Sequence, residues 1–116
     1  MAMPEFHTLV KDAKKEIQEI HSADLNRMQQ SGEDFILIDV REKSEADKGM
    51  IPTAVPVSRG MVEHDIDQVT TDKDKKLVLY CGGGSRSALA AASLKKTGFR
   101  NVISLAGGYR GWKEGK

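Results

Sequence analysis

The sequence predicts an α/β domain built on a mainly parallel sheet. Three observations carry that expectation. Two short apolar runs, at 35–40 and 77–80, show no polar alternation, as strands buried on both faces do. Segments with helical spacing fall between the strand-like runs instead of being grouped apart. The second run also passes directly into Cys81-Gly82-Gly83-Gly84 and then an alanine-rich helical stretch, which is how a strand hands over to the helix after it.

In chain order, Phe6, Leu9, Val10, Ala13, Ile17 and Ile20 recur at steps of three and four, the mark of an amphipathic helix. Its polar face mixes both charges, which favours packing on the domain over a membrane-surface or partner-binding role. Residues 19–21 read as a short edge strand. Ser22 is placed to cap a helix carrying Leu25 and Met28, closed by Gly32. The run at 35–40 is a buried strand with Asp39 at its carboxyl end and Arg41 just after it.

Residues 44–48 make one helical turn before Gly49, and 54–57 a brief strand that Pro56 confines to an edge. Met61, Val62, Ile66 and Val69 mark another helix, followed by a polar connection over 70–76. The second buried strand then ends at Cys81. Residues 85–96 form the strongest helix, rich in Ala and Leu, with Lys95 and Lys96 in the last turn and Gly98 as its stop. A final strand covers 101–105, and Gly107-Gly108 turns the chain into a short tail with Tyr109 and Trp112.

Composition narrows the functional classes. The 116 residues suit one domain over 1–116, with 1–19 as an added N-terminal helix. Eighteen basic residues against seventeen acidic ones leave a net charge of +1, too little to draw nucleic acid or an anionic membrane in bulk. One cysteine cannot close an intramolecular disulfide. The N-terminus lacks the basic and apolar regions of a secretion signal, and no apolar run reaches membrane-spanning length, so the cytoplasm is expected.

The chemistry is expected at Cys81. Ligands of open α/β sheets bind outside the carboxyl ends of strands, where Cys81 and Asp39 both stand. Amides at the start of the following helix have no intrahelical partners, and the helix dipole adds partial positive charge there. A thiol at that point ionises more easily than a free one, and the same cradle can hold a small anion. An inert buried cysteine would need no such loop. The loop residues Gly82, Gly83, Gly84, Ser85, Arg86 and Ser87 are therefore the candidate substrate-binding set. Arg86 has two uses, neutralising a bound anion or pairing with Asp39 to brace the loop, and bracing is slightly favoured. His7, His21 and His64 are scattered and, with one cysteine, make no metal-ligand spacing.

Four segments together resemble the single-domain rhodanese family, from about residue 20 to the C-terminus. Leu37-Ile38-Asp39-Val40-Arg41-Glu42 is similar to its Asp-x-Arg strand end, and Gly49-Met50-Ile51-Pro52-Thr53-Ala54 to its Gly-His-Ile-Pro-Gly-Ala segment. Cys81 to Ser87 resembles the active loop, and Leu105-Ala106-Gly107-Gly108, with Trp112 beyond, the closing motif. Met50 and Thr53 replace the usual His and Gly, and the loop glycines carry none of the basic side chains some members place there. The resemblance implies a rhodanese-like fold, with five strands in a mainly parallel sheet flanked by helices on both faces. It also implies sulfur transfer from a donor such as thiosulfate to cyanide, a thiol or a protein acceptor, through a Cys81 persulfide and without metal or organic cofactor. Two other readings stand beside it. Phosphatases and arsenate reductases of related fold separate Cys and Arg by five residues, whereas here four intervene, Gly82 to Ser85. A sulfur-relay module that turns over poorly by itself would share the loop.

Overall fold

The computed structural model describes residues 3–115. Five strands, β1 (Gln18–Ile20), β2 (Ile36–Asp39), β3 (Val55–Pro56), β4 (Leu77–Tyr80) and β5 (Val102–Leu105), form one sheet in the order β1-β5-β4-β2-β3. Every pairing is parallel. The helices are α1 (Pro4–Lys15), α2 (Ser22–Gln30), α3 (Lys43–Ala46), α4 (Val62–Val69), α5 (Ser85–Lys96) and α6 (Gly108–Lys113), with a 3₁₀ turn over Arg59–Met61.

Alternation along the strands splits the core in two. Ile38, Val40, Leu77 and Leu79 face one side and pack with Val62 and Ile66 of α4 and Ala90, Ala91 and Leu94 of α5. Leu37, Val78 and Tyr80 face the other side, against Leu25 of α2 and the half-buried Tyr109 and Trp112 of α6. Helices thus cover both faces, and apolar residues dominate the central strands. Neighbouring β2 and β4 send their chains in opposite directions across the sheet, β2 towards β3 and β4 towards β5. The crevice at their carboxyl ends is the ordinary ligand position of such a sheet. Asp39 pairs in register with Tyr80, so Cys81 emerges there.

Three elements differ from the sequence reading. The first helix stops at Lys15, because residues 18–20 gain more by pairing with Ile103, Ser104 and Leu105 on the sheet edge. The cap of α2 is His21, whose amide donates to the Asp24 carboxylate at 3.0 Å, while Ser22 lies inside the helix with its hydroxyl buried and unpartnered. The expected tail after Gly107 is helix α6, too short for its periodicity to register and held by burial of Tyr109 and Trp112. The expected domain span and N-terminal segment include Met1, Ala2 and Lys116, which lie outside the described residues.

Thr53, where the resemblance expects glycine, has φ 75, the left-handed region that β-branched residues avoid. Its side chain is exposed and makes no hydrogen bond among the described residues. Replacing it removes that strain, partly offset by the extra freedom of glycine in the unfolded chain. Thr53→Gly is expected to raise stability by about 1 kcal/mol. Urea denaturation checks this through a higher midpoint at unchanged slope; an unchanged or lower midpoint contradicts it.

Candidate active site

The loop after β4 wraps its own cysteine. Cys81 is 1% exposed. Gly84, in the left-handed region with φ 107, turns the chain so that its N–H donates to Cys81 Sγ at 3.1 Å. A side chain at Gly84 would crowd the Gly107 amide at 3.3 Å, so glycine is required twice over. The Ser87 N–H, in the first turn of α5, reaches the same sulfur at 3.3 Å, and the Ser87 Oγ lies 3.5 Å away. Behind it, Ser104 Oγ of β5 is 2.8 Å from Ser87 Oγ, and both serines are wholly buried. Among the described residues, the amides of Gly82, Ser85 and Arg86 have no protein acceptor and are free for a ligand.

The outside of the loop is tied to α6. Tyr109 N–H donates to the Cys81 carbonyl at 2.7 Å and Arg110 N–H to the Gly82 carbonyl at 3.1 Å. With these carbonyls turned towards α6, the loop can present its amides to the sulfur. Gly108 makes the approach possible, since any side chain there would overlap the Cys81 and Gly82 carbonyl groups.

These contacts decide the acidity of the thiol. Burial pushes the Cys81 pKa up. Hydrogen bonds from Ser87, by hydroxyl and amide, and from the amides of Gly84 and Gly83 outweigh it, and the net direction is below the ordinary thiol value. The thiolate thus draws on these dipoles and on the charge of the neighbouring Arg86 guanidinium, with no histidine among its partners in the described residues. His7, His21 and His64 are all exposed, and His64 contacts Asp65 instead. Among the described residues no cluster of His, Cys, Asp and Glu could hold a metal ion.

With this geometry in view, comparison with known proteins gives a consistent answer. The model of the rhodanese-like domain matches residues 21–115. The chain belongs to the rhodanese-like family. "Putative sulfurtransferase YtwF" of Bacillus subtilis is 39% identical over 98 residues, 84% of this chain and 92% of that protein. A sulfurtransferase of Allochromatium vinosum is 33% identical over 96 residues, 83% and 88% of the two chains. Among solved structures, a Rhodopseudomonas palustris protein described as of unknown function and a possible tyrosine phosphatase superposes with a TM-score of 0.86 at 31% identity, covering 99% of this chain and 93% of that one.

The rhodanese-like site corrects one expectation. Asp39 and Arg86 do not pair. The Asp39 carboxylate is taken by Arg41, with Nη2 at 2.7 Å and Nε at 3.0 and 3.1 Å, and by the Tyr80 hydroxyl at 2.8 Å. The same Arg41 donates to the Gly49 carbonyl at 2.6 Å and lies 4.2 Å from the Tyr109 ring centre. Two residues of separation let Arg41 fold back on Asp39 locally, which leaves Arg86 to another partner. Arg86 instead grips Glu45 of α3 through two bonds, at 2.7 and 3.1 Å. Hydrogen bonding to Arg86 draws the Glu45 carboxyl down to about 2 against the cost of burial. A side chain at Gly82 would start only 3.1 Å from Arg86 Nη2, so this braced guanidinium flanks the loop.

Sequence reasoning therefore missed Glu45, Ser104 and the α6 clamp. Ser104 left a signal, as the lone polar residue in an otherwise apolar strand. Glu45 left none, being one acidic residue among several in a polar segment.

Two results are expected. Ultraviolet titration of the thiolate gives a midpoint below that of a free thiol, and Ser87→Ala, which removes the hydroxyl from its donors, raises it. Because the folded pKa is depressed, the thiolate adds stability above the unfolded thiol value, and that contribution disappears as pH falls through the folded midpoint. Gly108→Ala, which drives a methyl group into the loop carbonyls, is expected to cost about 3 kcal/mol or more, read by chemical denaturation. A loss under 1 kcal/mol would show that α6 does not clamp the loop.

Proposed function

We propose that the protein is a sulfurtransferase that carries sulfane sulfur as a persulfide on Cys81. The Cys81 thiolate attacks the outer sulfur of a donor such as thiosulfate. The sulfur–sulfur bond of the donor breaks, sulfite leaves with its electron pair, and Cys81 holds the transferred sulfur as an anionic persulfide. An acceptor, cyanide or a thiolate, then attacks that outer sulfur, and the Cys81 thiolate departs ready for another cycle. Both steps balance without metal or organic cofactor.

The observation that carries this reading is the supply of amides. Those of Gly84 and Ser87 already serve the thiolate, and those of Gly82, Ser85 and Arg86 are free for one further sulfur or for donor oxygens. Arg86, fixed by Glu45, adds positive charge at the rim. With four residues between Cys81 and Arg86, the loop suits one sulfur atom better than a phosphoryl group. The phosphatase description of the Rhodopseudomonas palustris neighbour is therefore not carried over. Transfer to a protein thiol belongs to the same chemistry; a Bacillus subtilis relative, "Putative sulfur carrier protein YrkF", is 35% identical over 82 residues, 43% of its own length. No described helix is long and apolar enough to cross a membrane, and cytoplasmic thiols are the acceptors this reading favours.

Intact mass after exposure to thiosulfate is expected to rise by one sulfur atom on the wild type and to return on adding cyanide. Cys81→Ser should fold normally by circular dichroism and gain nothing. Sulfur uptake by the Cys81→Ser protein would defeat the proposal, as would aryl phosphate hydrolysis by the wild type that the variant lacks.

A further inference from the structure

Three polar atoms form a line beneath the active loop. Cys81 Sγ lies 3.5 Å from Ser87 Oγ, and Ser87 Oγ lies 2.8 Å from Ser104 Oγ. The three residues come from the end of β4, the first turn of α5 and β5, and all are shut off from solvent. Ser104 is in register with Leu79, which puts its hydroxyl on the Cys81 side of the sheet. Its Oγ makes no other hydrogen bond among the described residues.

Hydrogen counting decides which state of the sulfur this line fits. A thiol and a hydroxyl each carry one hydrogen to donate. Three atoms in line have two gaps, so with a neutral thiol one of the three hydrogens finds no acceptor in the line. If the bonds run outward from the sulfur, the stranded hydrogen is on Ser104. If they run inward, it is on the sulfur, where the Gly84 and Ser87 N–H groups already point. Either way a buried donor goes unmet, which is unfavourable. The thiolate leaves two hydrogens for two gaps. Ser104 then donates to Ser87, and the Ser87 hydrogen goes to the sulfur.

We infer that Ser104 is a positioning residue that turns the Ser87 hydroxyl into a donor to the Cys81 sulfur and so keeps that sulfur ionised. The inference rests on the sulfurtransferase reading for its role in the cycle. There the line holds the thiolate before it attacks the donor, and it meets the electron pair that returns to Sγ when the persulfide bond breaks. The charged groups around the site are engaged off the line: Arg86 with Glu45, Arg41 with Asp39, and Arg59 with Glu63. Glu19, in register with Ser104 on β1, makes no hydrogen bond to it and faces Lys14 at 3.7 Å. Arg110 of α6 stands over Gly83. These charges are common to every Ser104 variant, so a comparison among variants reads the hydroxyl.

The test is ultraviolet titration of the Cys81 thiolate across a set of variants. Ser104→Ala and Ser104→Val, which remove the hydroxyl with a smaller and a larger side chain, are expected to raise the midpoint. Ser104→Thr, matched to Val in shape but carrying a hydroxyl, should keep the wild-type midpoint. In a Ser87→Ala background Ser104→Ala should shift nothing further, because its effect passes through Ser87. A midpoint that Ala and Val leave unmoved, as when Ser104 turns its hydrogen to Glu19, overturns the inference. So does a shift that persists without the Ser87 hydroxyl, which is what a merely structural role gives. If the alanine variant does not fold, the Val and Thr pair decides alone. No sulfur donor enters these measurements, so the expected shifts in a protein that thiosulfate does not load uphold the inference and defeat only the sulfurtransferase reading.

Discussion

Two hydrogen bonds from the first turn of α6, to the carbonyls of Cys81 and Gly82, govern which way the peptides of the active loop face. A peptide unit that turns its oxygen outward turns an N–H inward, so the clamp and the ring of amides around the sulfur are one arrangement seen from two sides. Gly108 lets α6 come this close, and Gly84 reverses the chain into α5. The three features are mutually dependent. A sulfur with these donors can be both buried and ionised, a combination that burial alone would forbid.

The clamp needs a fixed base, and the Asp39–Arg41 pair supplies it. Both side chains are buried, at 0% and 6% exposure, where an ion pair is worth having only if its remaining donors and acceptors are met. Here they are. Tyr80 donates to Asp39 and accepts from the Ile51 N–H at 3.1 Å, and Arg41 reaches the Gly49 carbonyl and the face of Tyr109. The network ties the ends of β2 and β4 to the segment at 49–51 and to α6. Asp39 thus acts on the loop through the scaffold beneath it and makes no contact with Arg86. Removing either partner would strand a buried charge, which makes the pair costly to alter even though it touches no reacting atom.

How much of this the sequence disclosed follows from the range of the forces involved. The buried strands and α5 were legible because burial on both faces writes itself into consecutive residues, and a strong helix into its composition. Cys81 and its glycines were legible because a strand-to-helix turn with positive φ admits few residues. Helix α6 was hidden: six residues do not complete two turns, and its stability comes from Tyr109 and Trp112 packing on the far face of the sheet. The partner of Arg86 was hidden for a related reason. Glu45 lies 41 residues away, and only the docking of α3 against the loop brings the two together.

The missing general base is explained by where charge moves during the proposed cycle. In acyl transfer a proton must be removed from the nucleophile as it attacks, and a histidine is placed to take it. In the proposed cycle the nucleophile attacks as the thiolate, and the negative charge passes from Cys81 Sγ to the next sulfur along. A proton acceptor would stabilise neither end of that movement. Amides at successive heights in one loop stabilise both, since Gly84 and Ser87 meet the inner sulfur while Gly82, Ser85 and Arg86 remain for the outer one. Because these donors are fixed in advance by α5 and α6, they need not reorganise as the charge shifts. In the proposed cycle these fixed amides, with the Arg86 guanidinium at the rim, follow the moving charge without a proton acceptor.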